Sequence, residues 1–150
     1  MEIKGSYLFN APVERVFDAL LDPNALRICI PGCERFEAVE SDLFAVTVRI
    51  GVAAVKGTYG GTVRLKDIAR PSEYTLEAEG ISGPGFVKAT VGMRLEAQSD
   101  KTVLHWSADA RIGGRIASVG ARMLGGIATH TANQFFECVA QQISGAAAPA

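Results

Sequence analysis

Catalysis in this 150-residue chain would have to come from a short list of side chains. His105, Ser107 and Asp109 fall on alternate positions of one segment and Ser118 follows, so a Ser-His-Asp relay is the first arrangement to weigh. His105 and Asp109, however, occupy the polar register of an alternating run in which Trp106 takes the other register, and exposure on a strand accounts for them better. Glu77 and Glu79 share a face with Thr75, opposite Leu76 and Ala78, and a solvated outer face explains that pair without acid–base chemistry. Cys29 and Cys33 are separated by Ile30-Pro31-Gly32, with no second pair to complete a zinc set, and His105 and His130 are far away in sequence. With Cys138 the cysteine count is odd, which in a cytoplasmic setting predicts buried or half-buried thiols rather than a disulfide framework. There is no Gly-rich phosphate loop, nucleophile elbow or metal-binding helix pattern in the sequence. No catalytic residue, metal or other cofactor is therefore expected.

The elements that carry these residues follow from hydrophobic period. Ile3, Tyr7 and Phe9 alternate with Lys4 and Ser6, a first strand over 2–9. Asn10 reads as a helix cap with Pro12 in the first turn, and Val13, Val16, Phe17, Leu20 and Leu21 form the apolar stripe of a helix lying on a sheet. Asp22-Pro23 ends that helix and starts a short second one over 24–29, stopped by Pro31-Gly32. From 34 to 112 the period is two: six strands, with Phe44, Val46, Val63, Leu76, Met93 and Trp106 among the residues of one face, and Arg49, Lys56, Arg64 and Lys66 on the other. No later linker is long enough for a crossover, so the connections should be antiparallel. The period then changes to about 3.6 residues through Ile116, Val119, Met123 and Ile127, one long C-terminal helix. Such a helix must lie across one large curved sheet.

Glycine marks where that sheet should bend. Gly57, Gly60 and Gly61 lie in or beside one strand, and a bulge or bend accounts for them better than a ligand contact. Gly120, Gly125 and Gly126 fall inside the expected terminal helix, each costing about 1 kcal/mol against alanine, which calls for a bend, close packing or room for a ligand. A curled sheet facing one helix leaves a candidate apolar pocket between them.

Composition narrows the classes. One domain over 1–144 with a flexible tail over 145–150 fits the length. The 15 basic and 16 acidic residues are interspersed and sum to −1, so no basic footprint for nucleic acid exists. Met1 to Gly5 lacks a signal-peptide core, and no run of about 18 apolar residues occurs, which predicts a cytoplasmic protein.

Three segments in order, Ile30-Pro31-Gly32-Cys33-Glu34, Val55-Lys56-Gly57-Thr58-Tyr59-Gly60-Gly61 and Gly113-Gly114-Arg115-Ile116-Ala117-Ser118-Val119-Gly120, resemble the CoxG family, the G subunits of carbon monoxide dehydrogenase, within the START/Bet v 1-like (SRPBCC) superfamily. Ala11 to Phe17 after the first strand is also typical of the superfamily. The resemblance implies an α+β helix-grip fold, a curved antiparallel sheet wrapped around the C-terminal helix with two short helices after the first strand. It also implies an accessory role beside CO dehydrogenase-type molybdenum hydroxylases, in membrane recruitment, assembly or quinone supply. Longer relatives carry a C-terminal extension for membrane attachment, whereas this chain ends soon after Ile143, so any membrane contact should be transient and peripheral, at the inner face.

On that reading the protein is a non-catalytic carrier of a quinone- or lipid-like molecule. The expected lining is Phe44, Val46, Tyr59, Val63, Leu76, Met93 and Trp106 from the sheet with Met123, Leu124 and Ile127 from the helix, and the expected gate is Leu26 and Ile30. Tyr59 and Trp106 each bring a polar tip that could orient a carbonyl. Expected partners are the apolar molecule, a molybdenum-containing CO dehydrogenase-type oxidoreductase and a second copy of the chain. An interaction adaptor or chaperone with an incidental cavity is the alternative, and a cyclase- or hydrolase-type enzyme a third.

Overall fold

The computed structural model describes residues 1–52, 55–83 and 85–147. Strand β1 (Glu2–Phe9) leads into helices α1 (Val13–Leu21) and α2 (Pro23–Cys29). Strands β2 (Cys33–Glu40), β3 (Leu43–Ile50), β4 (Gly57–Ala69), β5 (Glu73–Ser82), β6 (Gly85–Gln98) and β7 (Lys101–Gly114) follow, then a 3-10 turn (Arg115–Val119) and helix α3 (Ala121–Ala147). The strands form one seven-stranded sheet in the order β1-β7-β6-β5-β4-β3-β2. Every pairing is antiparallel: short hairpin connections dictate this from β2 to β7, and β1 joins β7 in the same sense across the length of the chain. The helices lie on the concave face.

Local signals explain the boundaries. Helix α1 starts two residues later than expected: the carbonyl of Pro12, not Asn10, accepts the first amides, from Arg15 and Val16, each at 3.1 Å. Asp22 caps α2, its side chain accepting from the Asn24 amide at 3.0 Å, and Pro23 takes the first helical position. At Gly61 a side chain would collide with the Glu79 carbonyl, so this glycine serves the close approach of β4 to β5. Gly120 does not lie inside a helix: with φ of +99° it breaks the chain between the 3-10 turn and α3, a conformation that favours glycine. The tail expected from 145 falls partly outside the described residues, and α3 continues through Ala147. Among the described residues no helix is long and apolar enough to cross a membrane.

The main core lies where α1, α2 and the C-terminal half of α3 meet the sheet. Val16, Phe17 and Leu20 of α1 are fully buried against it, and Phe136 and Val139 of α3 join them. Phe9 meets Phe136 edge-on at 6.2 Å, Phe17 meets Tyr74 edge-on at 5.6 Å, and Phe36 stacks on Phe44 at 4.6 Å. Two polar ties hold the frame: Thr102 Oγ1 donates to the Ala11 carbonyl at 2.8 Å, and Arg15 donates to the Ile143 carbonyl at 2.9 Å. One expectation is overturned here. Cys29 and Cys138 are joined by a disulfide that links α2 to α3, and Cys33 is a free thiol. The partners are 109 residues apart in sequence, so neither local spacing nor the odd count could reveal them.

Candidate ligand-binding site

The site is built from the ladder registers of the concave face. Ala110, Ala89, Ala78, Val63 and Phe44 line up across β7 to β3, and Ile112, Val87, Gly80, Gly61 and Val46 form the next row. Small residues therefore occupy the sheet where bulky ones would otherwise meet α3. On α3, Gly125 is half-buried with open space beside it, whereas Gly126 is exposed to solvent. The interior consequently divides in two. A smaller apolar cluster of Val55, Tyr59 and Ile116, joined by Ile50, Val87, Ile112, Val119, Leu124 and Ile127, sits apart from the main core. Leu76, Ala78, Ala89, Val91 and Ala108 stay only half-buried although they belong to central strands and face inward.

A pocket of about 340 Å³ opens beside this divided interior, between the end of β7 and the start of α3. Ala110, Ile112, Ala117, Ala121 and Leu124 line it, with Met1 and Arg111 at the rim. It exists because β7 is longer than its neighbour. Glu2 pairs with Asp109, and Met1 and Ala110 exchange backbone hydrogen bonds at 2.8 and 2.9 Å, after which no residue of β1 remains to flank Arg111 to Gly114. The volume lies in the range of small-molecule sites, and the walls are apolar. A larger depression of about 630 Å³ lies among the solvent-facing rows around Gly92, with Lys4, Thr75, Arg94, His105 and Ser107 on its walls. It marks the missing side chain of Gly92 between long polar neighbours, so water suits it better than an apolar ligand.

The predicted lining residues separate. Phe44, Val46, Val63, Met93 and Trp106 are buried in the main core, where Leu76 packs half-buried at the edge. Tyr59 belongs to the smaller cluster with Leu124 and Ile127. Met123 points outward, 55% exposed, because it follows the break at Gly120 and takes the outer side of the first helical turn. Of the predicted lining only Leu124 borders the pocket. Leu26 is 1% exposed within the core and Ile30 is half-buried.

The polar tip of Tyr59 is committed to the chain itself. Tyr59 donates to the Val55 carbonyl at 2.8 Å, tying down the β3–β4 connection. The Trp106 indole lies flat over Gly5 of β1, where an added methyl group would come within 2.8 Å of the ring. The pocket residues missed from sequence are Ala110, Ile112, Ala117 and Ala121. Their signal was the run of small residues on the last strand and at the helix start, which reads as close packing.

Electrostatics place no reactive group at the pocket. Burial pushes Tyr74 far above the usual tyrosine range and raises Tyr59, Tyr7 rises through burial and the nearby Glu137 charge, and burial raises the Cys33 thiol. All four shifts disfavour the ionised form. The outer-face residues behave as their register predicts: His105 meets Glu96 at 3.2 Å, Glu77 pairs with Lys66 and Glu79 with Lys88, both at 3.3 Å. Among the described residues no cluster of three His, Cys, Asp or Glu side chains could hold a metal.

A curved antiparallel sheet closed around a long C-terminal helix, with two short helices after the first strand and an apolar gap between helix and sheet, is the helix-grip architecture of START/Bet v 1-like proteins. The chain is similar over its whole length to Ara h 8.0201 (15% identity, TM-score 0.71, covering 97% of this chain and 98% of that one). It is also similar to a START superfamily protein from Mycobacterium smegmatis (13% identity, TM-score 0.70, 95% and 97% coverage). Within that class the chain belongs to the CoxG family, the G subunits of carbon monoxide dehydrogenase, whose model matches residues 5–144. A conserved protein from Geobacillus kaustophilus is 36% identical with a TM-score of 0.93, over 96% of this chain and 95% of that one. No curated protein sequence matches.

Proposed function

We propose that the protein is a non-catalytic carrier that holds a quinone- or lipid-like molecule between β7, the central strands and the first turns of α3, in the service of a CO dehydrogenase-type molybdenum hydroxylase. The observation that carries this reading is the pocket of about 340 Å³ at the β7–α3 junction, together with the inward-facing aliphatic residues that the central strands leave half-buried. Membership of the CoxG family supports an accessory role. An adaptor with an incidental cavity would have no need for a row of alanines and glycines beneath an overlying helix.

Native mass spectrometry with added short-chain quinone, and organic extraction of protein from a quinone-rich host, test the reading. A one-to-one complex is expected. Leu124→Trp, which fills the pocket, should weaken it by about tenfold or more, while Thr90→Trp on the outer face should leave it unchanged. Absence of a complex with folded wild-type protein, for quinones and lipids alike, would overturn the carrier and direct the search to an oxidoreductase partner by co-purification.

A further inference from the structure

The two edges of the sheet reach helix α3 in different ways. At the β1 edge the contact is direct and apolar, with Tyr7 and Phe9 against Phe136 at ring distances of 5.6 and 6.2 Å. The opposite edge strand, β2, comes to α3 by way of α2, which packs on both. Helix α2 is a weak bridge by itself. It has seven residues, too few for a helix to persist without tertiary support. Its buried face consists of Ala25, Leu26 and Cys29, with Leu26 the one large side chain, while Arg27 and Ile28 face solvent and Ile28 is 56% exposed. Breaks in the chain flank it. Asp22-Pro23 stands before the helix, and Pro31-Gly32 follows it, where Gly32 has φ of +74° and a side chain would strike the Arg49 carbonyl. What fastens this short flap to α3 covalently is the Cys29–Cys138 disulfide.

We propose that the Cys29–Cys138 disulfide is a redox-operated clasp: oxidised, it shuts the sheet around α3 on the β2 side, and reduced by a dithiol, it releases α2 and opens the interior there. The reductant enters at Cys138, which is half-buried, whereas Cys29 is 3% exposed. One thiolate of the dithiol attacks Cys138 Sγ, the S–S bond breaks, and Cys29 leaves as a thiolate that takes a proton. The second thiol of the reductant then displaces Cys138. Two electrons and two protons have passed to the protein, which holds two thiols, and the reductant ends as a disulfide. A disulfide oxidant reverses the exchange and closes the clasp. The inference stands independently of what the interior holds, because the opening is a property of the empty protein.

Hydrogen exchange of the Cys33→Ser protein, in which no third thiol can reshuffle the bond, tests the clasp before and after reduction with dithiothreitol. Reduction should speed exchange over residues 23–33 by about 30-fold or more, the low end of what a disulfide contributes, and leave β6 and β7 unchanged. C29S/C138S in the same background should exchange as the reduced protein does and show no response to dithiothreitol. Circular dichroism checks that each variant is folded, and the wild-type chain under dithiothreitol repeats the comparison with no substitution at all. Three results would each overturn the proposal. Two titratable thiols in the air-oxidised Cys33→Ser protein would show that the bond does not form. Equal acceleration across the whole sheet would make it a general staple, and no acceleration in α2 would leave Leu26 holding the bridge unaided.

Discussion

Where β1 runs into α1 and α3 finishes, Phe9, Phe17, Phe136 and Val139 are at most 1% exposed, and a disulfide joins α2 to α3. At the far end, between the β3–β4 connection and the start of α3, the buried cluster shrinks to Val55, Tyr59 and Ile116. The difference separates a frame from a door. Segments held by few buried contacts open at lower free energy than the core they border, and here the thin cluster borders the pocket. The charge pattern leans the same way: the well-packed end carries Asp42, Asp67, Glu73, Glu96 and Asp100, whereas at the thin end residues 43–66, 80–95 and 110–136 carry no carboxylate and Glu34 of β2 pairs with Arg49 at 3.2 Å.

Substitutions can break this contrast, the largest effects falling in the frame. Phe136→Ala should cost about 3–5 kcal/mol in urea unfolding, since it empties a space shared with Tyr7, Phe9 and Phe135. Replacing both Cys29 and Cys138 with serine should cost about 2–5 kcal/mol, with the loss absent when wild-type protein is measured under reducing conditions. Ile116→Ala should cost about 2 kcal/mol, and hydrogen exchange should accelerate in 113–127 far more than in α1. If exchange rises equally in both, the two clusters are one cooperative unit and the contrast fails.

Smaller effects sharpen it. Tyr59→Phe should cost about 1 kcal/mol and loosen the β3–β4 connection, because the Val55 carbonyl loses its donor. In the frame, burial raises Tyr74 above its ordinary value of 10.0, so the unfolded chain loses that proton first. Stability should therefore be intact below pH 10 and fall above it, by at most about 1.4 kcal/mol per pH unit from this group. Tyr74→Phe should remove that part of the alkaline slope in denaturant titrations.

The frame was legible in the sequence and the door much less so. Alternation through β2 to β7 and the α1 stripe report which side chains face inward, because each strand and helix obeys a single period over many residues. Val16, Phe17, Leu20 and Leu21 are buried as that stripe requires. The resemblance of three glycine-bearing segments to the CoxG family pointed to the helix grip itself. What failed were features set by relations between distant segments. The Cys29–Cys138 pairing depends on how α2 meets α3, and the outward turn of Met123 depends on the break at Gly120. Tyr59 looked free to meet a ligand because nothing local shows that the Val55 carbonyl lies within its reach. The pocket itself arises from the unequal lengths of β1 and β7, a register fact that no single segment contains.

Trp106, the chain's single tryptophan, lies over Gly5, 6% exposed and within the frame. Its emission should be blue-shifted in the folded protein and move to the red only when β1 separates from β7. Intrinsic fluorescence is thus a reporter of the frame alone: movement at the door leaves it dark to the spectrometer, and a second indole introduced at that end would give each half of the molecule its own optical signal.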